Sequence, residues 1–457
     1  MKRSLIYLSL LLLLGSCSPR LVPPQVTLRS DYLYGERFAQ DSLYVPLDWW
    51  RMFGDSTLNS LVERALSQNR DLAVATSRIE QARLNLAAAR AEYLPSFAFS
   101  LSTEESYNRA TKITQQYVVA PTISWETPLF GAIKRTNEAA RAQLGEAVWN
   151  YRGVELALAA EVATTYFSLL EYERDLWIAS RTYELRKESA TLIDSLFYYG
   201  MATGVEREQA LSLVYAAEAD IPRYRSAVEQ THLALGVLMG DPPMPIWEEG
   251  VGQELLLDHR PDELSVGIPS ELLQRRPDIL QARYALDVAA AKAGLARVDR
   301  FPSISLIAKG GIGANSIKGL TSSNPAVWTI TAGLAQPIYN FSGLRRAEQI
   351  AIESYNQAAL NYEQTVLTAM ADVEQTLSAI EANRIETERN TELVISYRSI
   401  LEMAYALYRN GMADYLDVID AERTLYTAQM TLVGLIAAQY TNYVTLCKAL
   451  GGGWQSS

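Results

Sequence analysis

Two aspartates and an arginine follow one another at intervals of three residues in the last tenth of the chain. They are Asp417, Asp420 and Arg423. Residues three apart lie on the same side of a helix, so the three charges would share one surface. Carboxylates grouped in this way attract cations or pair with a guanidinium group. The spacing predicts a charged site of this kind, and the alternative is an ordinary solvated helix face.

Two glycine segments of almost the same sequence lie at the ends of long helical stretches. They are Gly200-Met201-Ala202 and Gly411-Met412-Ala413. Glycine adopts the left-handed conformation that a tight helix reversal needs. We therefore expect both segments to be helix tips, and the charged triplet follows the second tip by a few residues.

A cysteine near the start of the chain stands in a setting for lipidation. Lys2 and Arg3 are followed by an apolar run over 5–14 and by Leu14-Gly15-Ser16-Cys17. This arrangement resembles the bacterial lipoprotein box, which implies removal of residues 1–16 as a signal peptide, acylation of Cys17 and an outer-membrane destination. An ordinary signal peptide is the alternative. No later run of 18 apolar residues occurs, so no transmembrane helix is expected.

Catalytic motifs are missing from the sequence. The two histidines, His232 and His259, have no metal-site spacing, and Gly310-Gly311-Ile312-Gly313 does not have the full dinucleotide-binding pattern. Cys447 lies in an apolar helical pattern and is expected in a core. The net charge is −11, with no basic cluster. We therefore expect no enzyme, no cofactor, no metal site and no nucleic-acid partner.

Four short segments alternate large apolar residues with small or polar ones. The apolar positions are Phe97, Phe99, Leu101, Val119, Ile123, Trp125, Ile304, Leu306, Trp328, Ile330 and Leu334. A period of two, with ~10 residues per strand, is typical of outer-membrane strands that face lipid on one side. A half-buried soluble sheet is the alternative. The intervening segments, 107–116 and 314–325, are expected to be extracellular loops.

Four strands are too few to close a barrel in a membrane. A membrane barrel needs at least about eight strands, because an open edge would leave backbone groups unpaired in lipid. We therefore expect several copies of the chain to share one barrel. The residues alone fix the strand total only as a multiple of four that is eight or more.

Long helices account for most of the remaining chain. The segments 131–199 and 341–409 contain no proline, and at ~1.5 Å per residue each could extend ~100 Å. Shorter helical stretches are predicted over 58–93, 205–240, 269–300 and 415–450. Apolar residues recur at alternating intervals of three and four, as in Leu72, Ala75, Ile79, Ala82 and Leu86. This pattern predicts helices packed nearly parallel, as in coiled coils.

The two halves of the sequence resemble one another. Leu94-Pro95-Ser96-Phe97 has a counterpart in Phe301-Pro302-Ser303-Ile304, and Gly200-Met201-Ala202 has one in Gly411-Met412-Ala413. Such long copies imply an internal two-fold repeat. The predicted divisions are a signal (1–16), an extended lipidated lead (17–57), a first repeat (58–240, hairpin 95–127), a joining segment (241–269), a second repeat (270–450, hairpin 302–337) and a tail (451–457).

Three segments carry a family resemblance. They are Asp48-Trp49-Trp50 with Phe53-Gly54-Asp55, the run Arg275-Arg276-Pro277-Asp278-Ile279, and the segment 415–425. They resemble TolC-like outer membrane efflux proteins, in the lipidated branch that serves multidrug RND pumps. Glu422 stands where that family usually has Gln. The resemblance covers nearly the whole mature chain and implies a mainly α fold with a small β part, a homotrimer, a shared 12-stranded barrel and a periplasmic helical coiled-coil tunnel.

The resemblance also implies functional roles. It makes Asp417 and Asp420 the constriction acids of a periplasmic gate, and Arg423 an arginine that ties neighbouring helices. It makes the two glycine tips the docking points for a periplasmic adaptor, with an inner-membrane RND transporter as the further partner. The implied function is the passive exit duct of a tripartite pump that expels drugs and other small molecules. Alternatives are heavy-metal efflux, type I protein secretion, or a structural periplasmic coiled-coil lipoprotein.

Overall fold

The computed structural model describes residues 21–26, 29–35, 45–109, 112–127, 130–242, 266–267, 269–321, 326–338 and 341–452. The predicted signal peptide, Cys17, His259, most of the joining segment and residues 453–457 lie outside these ranges. The chain divides into two compact units. One contains Ser77–Trp149 and Leu280–Thr365, and the other contains Thr27–Thr76, Asn150–Ile279 and Val366–Ser457.

Helices make up most of the described chain. They are α1 (Ser56–Gln68), α2 (Arg70–Ala91), α3 (Ala132–Tyr198), α4 (Gly204–Leu238), α5 (Leu272–Arg275), α6 (Pro277–Val298), α7 (Phe341–Arg409) and α8 (Tyr415–Ala449). Short 3₁₀ helices occupy Trp49–Phe53, Pro269–Glu271 and Lys318–Thr321. The two long proline-free segments are therefore single helices, α3 and α7, as the sequence predicts.

Two of the predicted shorter helices are broken, which corrects the expectation of single helices over 58–93 and 269–300. The first break is at Asn69, whose backbone is extended. Its side-chain oxygen accepts the N–H groups of Asp71 and Leu72 (2.9 and 3.1 Å), so it caps the start of α2. The second break is at Arg276, which precedes Pro277 and is also extended, as residues before proline tend to be.

The seam positions are largely buried. On α2, Leu72, Ala75, Ala82 and Leu86 are each at most 9% exposed. On α7, Val366, Val373 and Leu377 are buried as well. The three-four spacing thus marks the packed face of each helix, as predicted.

The four strands form one antiparallel sheet in the order β1 (Ser96–Asn108), β2 (Lys112–Thr127), β3 (Ser303–Ala314) and β4 (Ala326–Ala335). The sequence predicts two hairpins, and the structure joins them through pairing of β2 with β3. Strands β1 and β2 also extend into most of the segment 107–116 that was expected to be a loop, with Tyr107 opposite Ile113. That part of the expectation is wrong because the pairing continues to Asn108 and Lys112.

The register confirms the predicted alternation of faces. Phe97 lies opposite Ile123, and Trp125 lies opposite Leu306, and cross-strand partners share a face. Phe97, Trp328 and Ile330 are 75%, 78% and 71% exposed, so one face is a continuous apolar surface. The other face carries mostly small or polar residues. A Cβ on Gly311 would lie 2.0 Å from the carbonyl oxygen of Val119, so only glycine fits there.

One helix qualifies, by length and composition only, as a candidate membrane span. It is α3, which contains an 18-residue apolar window, and half of that window is buried. The prediction of no transmembrane helix was based on uninterrupted apolar runs, so it did not include this window. Burial of this extent is usual for a core helix, so the window is weak evidence for a span.

Candidate functional site

The first predicted tip is a helix reversal built on glycine. Gly200 has a φ of 75°, the left-handed region that the sequence analysis expected. Its N–H donates to the carbonyl of Phe197 (2.9 Å), and the N–H of Met201 donates to that of Leu196 (2.8 Å). These two bonds form a Schellman motif, which satisfies carbonyl groups at the end of α3.

The second tip repeats this geometry at the end of α7. Gly411 has a φ of 67°. Its N–H donates to Tyr408, and the N–H of Met412 donates to Leu407 (2.9 and 3.0 Å). The left-handed glycine is therefore confirmed at both tips. Their roles in docking stay predictions.

The helices that follow the tips begin differently. The Thr203 side chain accepts the N–H of Glu206 (3.2 Å), and the Glu206 carboxylate accepts the N–H of Thr203 (2.6 Å). This capping box fixes the start of α4. Asp414 precedes α8 but makes no side-chain cap bond. An ion pair of Asp194 with Arg207 (2.6 Å) joins α3 to α4 beside the first tip.

An apolar cluster packs the four helices together near the tips. Its buried members are Ala190, Ile193, Ala210, Val214, Ala404, Tyr415, Val418, Ile419 and Ala421. They come from α3, α4, α7 and α8. The ring of Tyr408 packs beside this cluster, with its centroid 5.3 Å from that of the Tyr415 ring. The tip region is thus a small four-helix core.

A buried ion pair crosses this core. Arg186 on α3 and Glu422 on α8 approach to 3.6 Å, and their side chains are 6% and 9% exposed. The Tyr405 hydroxyl donates to Glu422, and burial beside that carboxylate raises the pKa of Tyr405. A terminal nitrogen of Arg186 donates to the carbonyl of Leu213 (3.2 Å). One charge from each of two helices is therefore held inside the tip region.

The three predicted gate residues lie on one face of α8, outside this core. Asp417 is exposed. The side chains of Asp420 and Arg423 are 57% and 69% exposed and form an ion pair at 3.1 Å. The structure therefore brings Asp420 and Arg423 together within one chain. An exposed pair of this kind adds little stability by itself, so its charges stay open to solvent or to another copy.

A second set of acids lies on α3, farther from the first tip than Arg186. Burial raises the pKa of Asp175 to about 7, and the nearby Glu171 carboxylate adds to this effect, whereas Arg223 opposes it. Asp175 is 7% exposed. Burial also raises the pKa of Glu171. A carboxylic acid with this environment changes charge near neutral pH.

Arg186, Asp175 and Tyr405 were not among the residues predicted from the sequence. The one signal in the sequence is Glu422, a position where the resemblance leads us to expect Gln. A carboxylate that is buried requires a partner. Its partner is Arg186, which lies 236 residues earlier in the sequence. Only the fold brings the two side chains together.

Comparison with known proteins supports one family. The sequence model of the outer membrane efflux protein family matches residues 61–241 and 268–452. The probable outer membrane lipoprotein SilC of Salmonella typhimurium is 29% identical over 99% of both chains. The solvent efflux pump outer membrane protein SrpC of Pseudomonas putida is 30% identical over 98% of this chain and 97% of its own.

Two further comparisons, one with a sequence relative and one with a solved structure, indicate the same family. The cation efflux system protein CusC of Escherichia coli K12 is 29% identical over 94% of this chain and 93% of its own. The solved structure of the outer-membrane channel OprN covers 96% of this chain and all of that one, with 26% identity and a TM-score of 0.86. The chain belongs to the outer membrane efflux protein family. It is an efflux channel of the outer membrane.

Proposed function

We propose that three copies of this chain form the passive, non-enzymatic exit duct of a tripartite efflux pump. The observation that carries the proposal is the four-stranded sheet, which has an exposed apolar face and two open edges. Within the described residues, β1 pairs only with β2, and β4 pairs only with β3. An open edge in lipid leaves backbone groups unpaired, so the edges need strands from other copies.

The direction of the strands permits closure. Successive strands are antiparallel, so β4 of one copy would run antiparallel to β1 of the next. Head-to-tail pairing of this kind closes a ring. Two copies would give eight strands and three would give twelve, and the family resemblance favours three.

The internal repeat is supported by a second pair of glycines. Gly240 and Gly451 have φ values of 74° and 95°. The N–H groups of Asp241 and Gly452 each donate, at 2.9 Å, to a carbonyl five residues earlier, as at the two tips. The same cap therefore recurs at the ends of α3 and α7, and of α4 and α8. We place the repeats at 58–240 and 270–450, joined by 241–269.

The lipid anchor is proposed at Cys17, with residues 1–16 removed. Replacement of Cys17 by alanine should abolish labelling with a radioactive or alkyne-bearing fatty acid. Labelling that persists in the Cys17→Ala variant would contradict this assignment. Cys447 is buried, so it should not become an alternative acylation site, and a Cys447→Ala variant is the matched control.

The two tips are proposed to dock the periplasmic adaptor, which links the channel to an inner-membrane RND transporter. The first tip exposes Tyr198, Tyr199 and Met201 at 83%, 72% and 67%, and the second exposes Met412 at 68%. Large apolar side chains concentrated at one place on a surface mark an interaction site. The proposed ligands of these tips are therefore apolar positions of an adaptor.

The cargo is proposed to be drugs and other small organic molecules, and heavy metals are the second candidate. SrpC is described as part of a solvent pump, whereas CusC is described as part of a cation efflux system. The test is a deletion strain complemented with the gene. Restored resistance to dyes and detergents favours the first cargo, restored resistance to copper or silver salts favours the second, and restoration of neither would contradict both.

A further inference from the structure

A lysine lies on the face of the sheet that carries mostly small residues. Lys309 on β3 lies opposite Thr122 on β2 and opposite Thr329 on β4, so these three side chains share a face. Apart from Val118, Ile307 and Val327, the residues of that face are small, polar or charged. In the proposed barrel the apolar face contacts lipid, so Lys309 faces the water-filled interior.

The neighbours of Lys309 supply no counter-charge. On its own strand the nearest residues of the same face are Ile307 and Gly311, and Lys309 itself is exposed. Among the strand residues whose side chains the structure describes, Lys309 is the sole cation on this face. The acids on the same face are Glu104, opposite Gln116, and Glu126, opposite Ser305.

Both acids are distant along the strands. Glu126 is four residues from Thr122 on β2 and Gln116 is six residues from it, which at ~3.3 Å per residue gives separations of ~13 and ~20 Å. The Debye length is ~10 Å at 0.1 M salt, so neither acid neutralises the lysine through water. The charge at this level of the sheet is therefore positive.

We propose that Lys309 makes this level of the barrel selective for anions, and that organic anions are the cargo class it favours. This inference rests on the proposed trimeric channel, in which three copies of Lys309 form a ring. Rings of Lys or Arg select anions in pores, as rings of Asp or Glu select cations. The nearest side chains of this face, those of Thr122, Thr329 and Ile307, carry no charge, and the exposed lysine leaves the ammonium groups accessible.

The test is the reversal potential of single channels in a planar bilayer under a potassium chloride gradient at low salt. The variants are Lys309→Gln, Lys309→Arg and the matched control Lys318→Gln, which alters a lysine of the 3₁₀ segment outside the strands. All are also made in a channel carrying Asp417→Asn and Asp420→Asn, so that the proposed gate acids do not dominate the measurement. Lys309→Gln should shift selectivity toward cations, and the other two should not.

A second readout uses inositol hexakisphosphate as a polyanionic blocker, added to each chamber in turn. Its half-blocking concentration should rise by roughly fivefold or more in Lys309→Gln, because three attractive charges are lost. A Lys309→Cys channel should regain parental selectivity after reaction with a trimethylammonium thiol reagent and lose it further with a sulfonate reagent. The parent treated with the same reagents is the control.

The outcomes separate the two claims. Channels with unchanged selectivity and unchanged block in Lys309→Gln would overturn the role of Lys309 and leave the proposed duct intact. A charge-independent response of the Lys309→Cys channel to the two reagents would overturn it as well. Absence of channels from the purified parent would overturn the proposed function, and this inference with it.

Discussion

At the scale of single residues, the second helix tip places its charges in two different environments. Asp417, Asp420 and Arg423 are exposed on α8, whereas the side chain of Glu422, the residue before Arg423, is buried with Arg186. Exposed charges are available to ions and to other copies of the chain. Buried charges instead hold helices of one copy together. The two sets therefore make different predictions.

The exposed acids should govern ion passage. Replacement of Asp417 and Asp420 by alanine should change single-channel conductance, reduce cation selectivity and weaken block by multivalent cations, because three copies of each acid would surround the axis. Glu229→Ala, an exposed acid on α4, is the control. The Arg423→Ser variant should loosen the closed state and raise passive uptake of bulky antibiotics. Recordings that match the parent would place the constriction elsewhere.

Removing the cation of the buried pair should destabilise the protein more than replacing both members by leucine. Arg186→Leu leaves the Glu422 carboxylate buried without its cation, which costs ~3–5 kcal/mol of unfolding free energy, whereas the double variant Arg186→Leu with Glu422→Leu costs much less. Glu422→Gln, which installs the residue usual in the family, keeps an acceptor for Tyr405. Thermal unfolding of all four proteins tests this. Equal melting temperatures of parent and Arg186→Leu would contradict it.

The pH dependence of stability should carry the signature of Asp175. Its pKa in the folded chain, about 7, lies above the ordinary aspartate pKa of 3.8, so the folded state holds an extra proton between these values. The free energy of unfolding therefore falls as pH rises through that window. Asp175→Asn should remove this fall and stabilise the protein at pH 8 by at least ~1 kcal/mol. Melting curves of parent and variant that stay parallel from pH 5 to pH 8 would refute this.

At the scale of elements, the glycine at each helix tip has free space around it but adopts a positive φ. A Cβ on Gly200 or Gly411 would meet no atom within 4 Å, so the strain of a substitution comes only from the positive φ. A non-glycine residue there costs ~1–2 kcal/mol. Such a change should reshape the tip and leave the rest of the helices packed.

Adaptor docking should respond to that change. Gly200→Val or Gly411→Val should leave trimers in the membrane and weaken crosslinking to the adaptor. Gly204→Ala is the matched control, because Gly204 begins α4 without a positive φ and a Cβ there makes an ordinary contact with Phe197 at 3.8 Å. Unchanged crosslinking together with unchanged drug resistance in both valine variants would remove the docking assignment.

Sequence patterns predicted the elements better than the contacts between them. Strand faces and helix lengths follow from local periodicity, so Phe97 and Trp328 were placed on the correct face and α7 was given its observed ends. The break at Asn69 depends on one side chain that caps the next helix and donates to the carbonyl of Leu238 (2.8 Å). The pairing of β2 with β3 and the Arg186–Glu422 pair join distant segments, which periodicity does not encode.

At the scale of the whole molecule, the account depends on copies of the chain completing one another. The two edges of the sheet, the exposed apolar face and the exposed acids of α8 are all incomplete in a single copy. Association would supply strands to the edges and neighbours to the acids. A single copy should therefore be inactive as a channel, even when its helices are folded.

Single-channel recording of the trimeric and monomeric fractions of the purified protein tests this claim most directly. Both fractions, separated in detergent and verified by native mass spectrometry, are added to planar bilayers at equal chain concentration. We predict discrete, uniform conductance steps from the trimeric fraction and none from the monomeric fraction. Steps of the same size from monomers, or a trimeric fraction that never conducts, would contradict a channel built from shared strands.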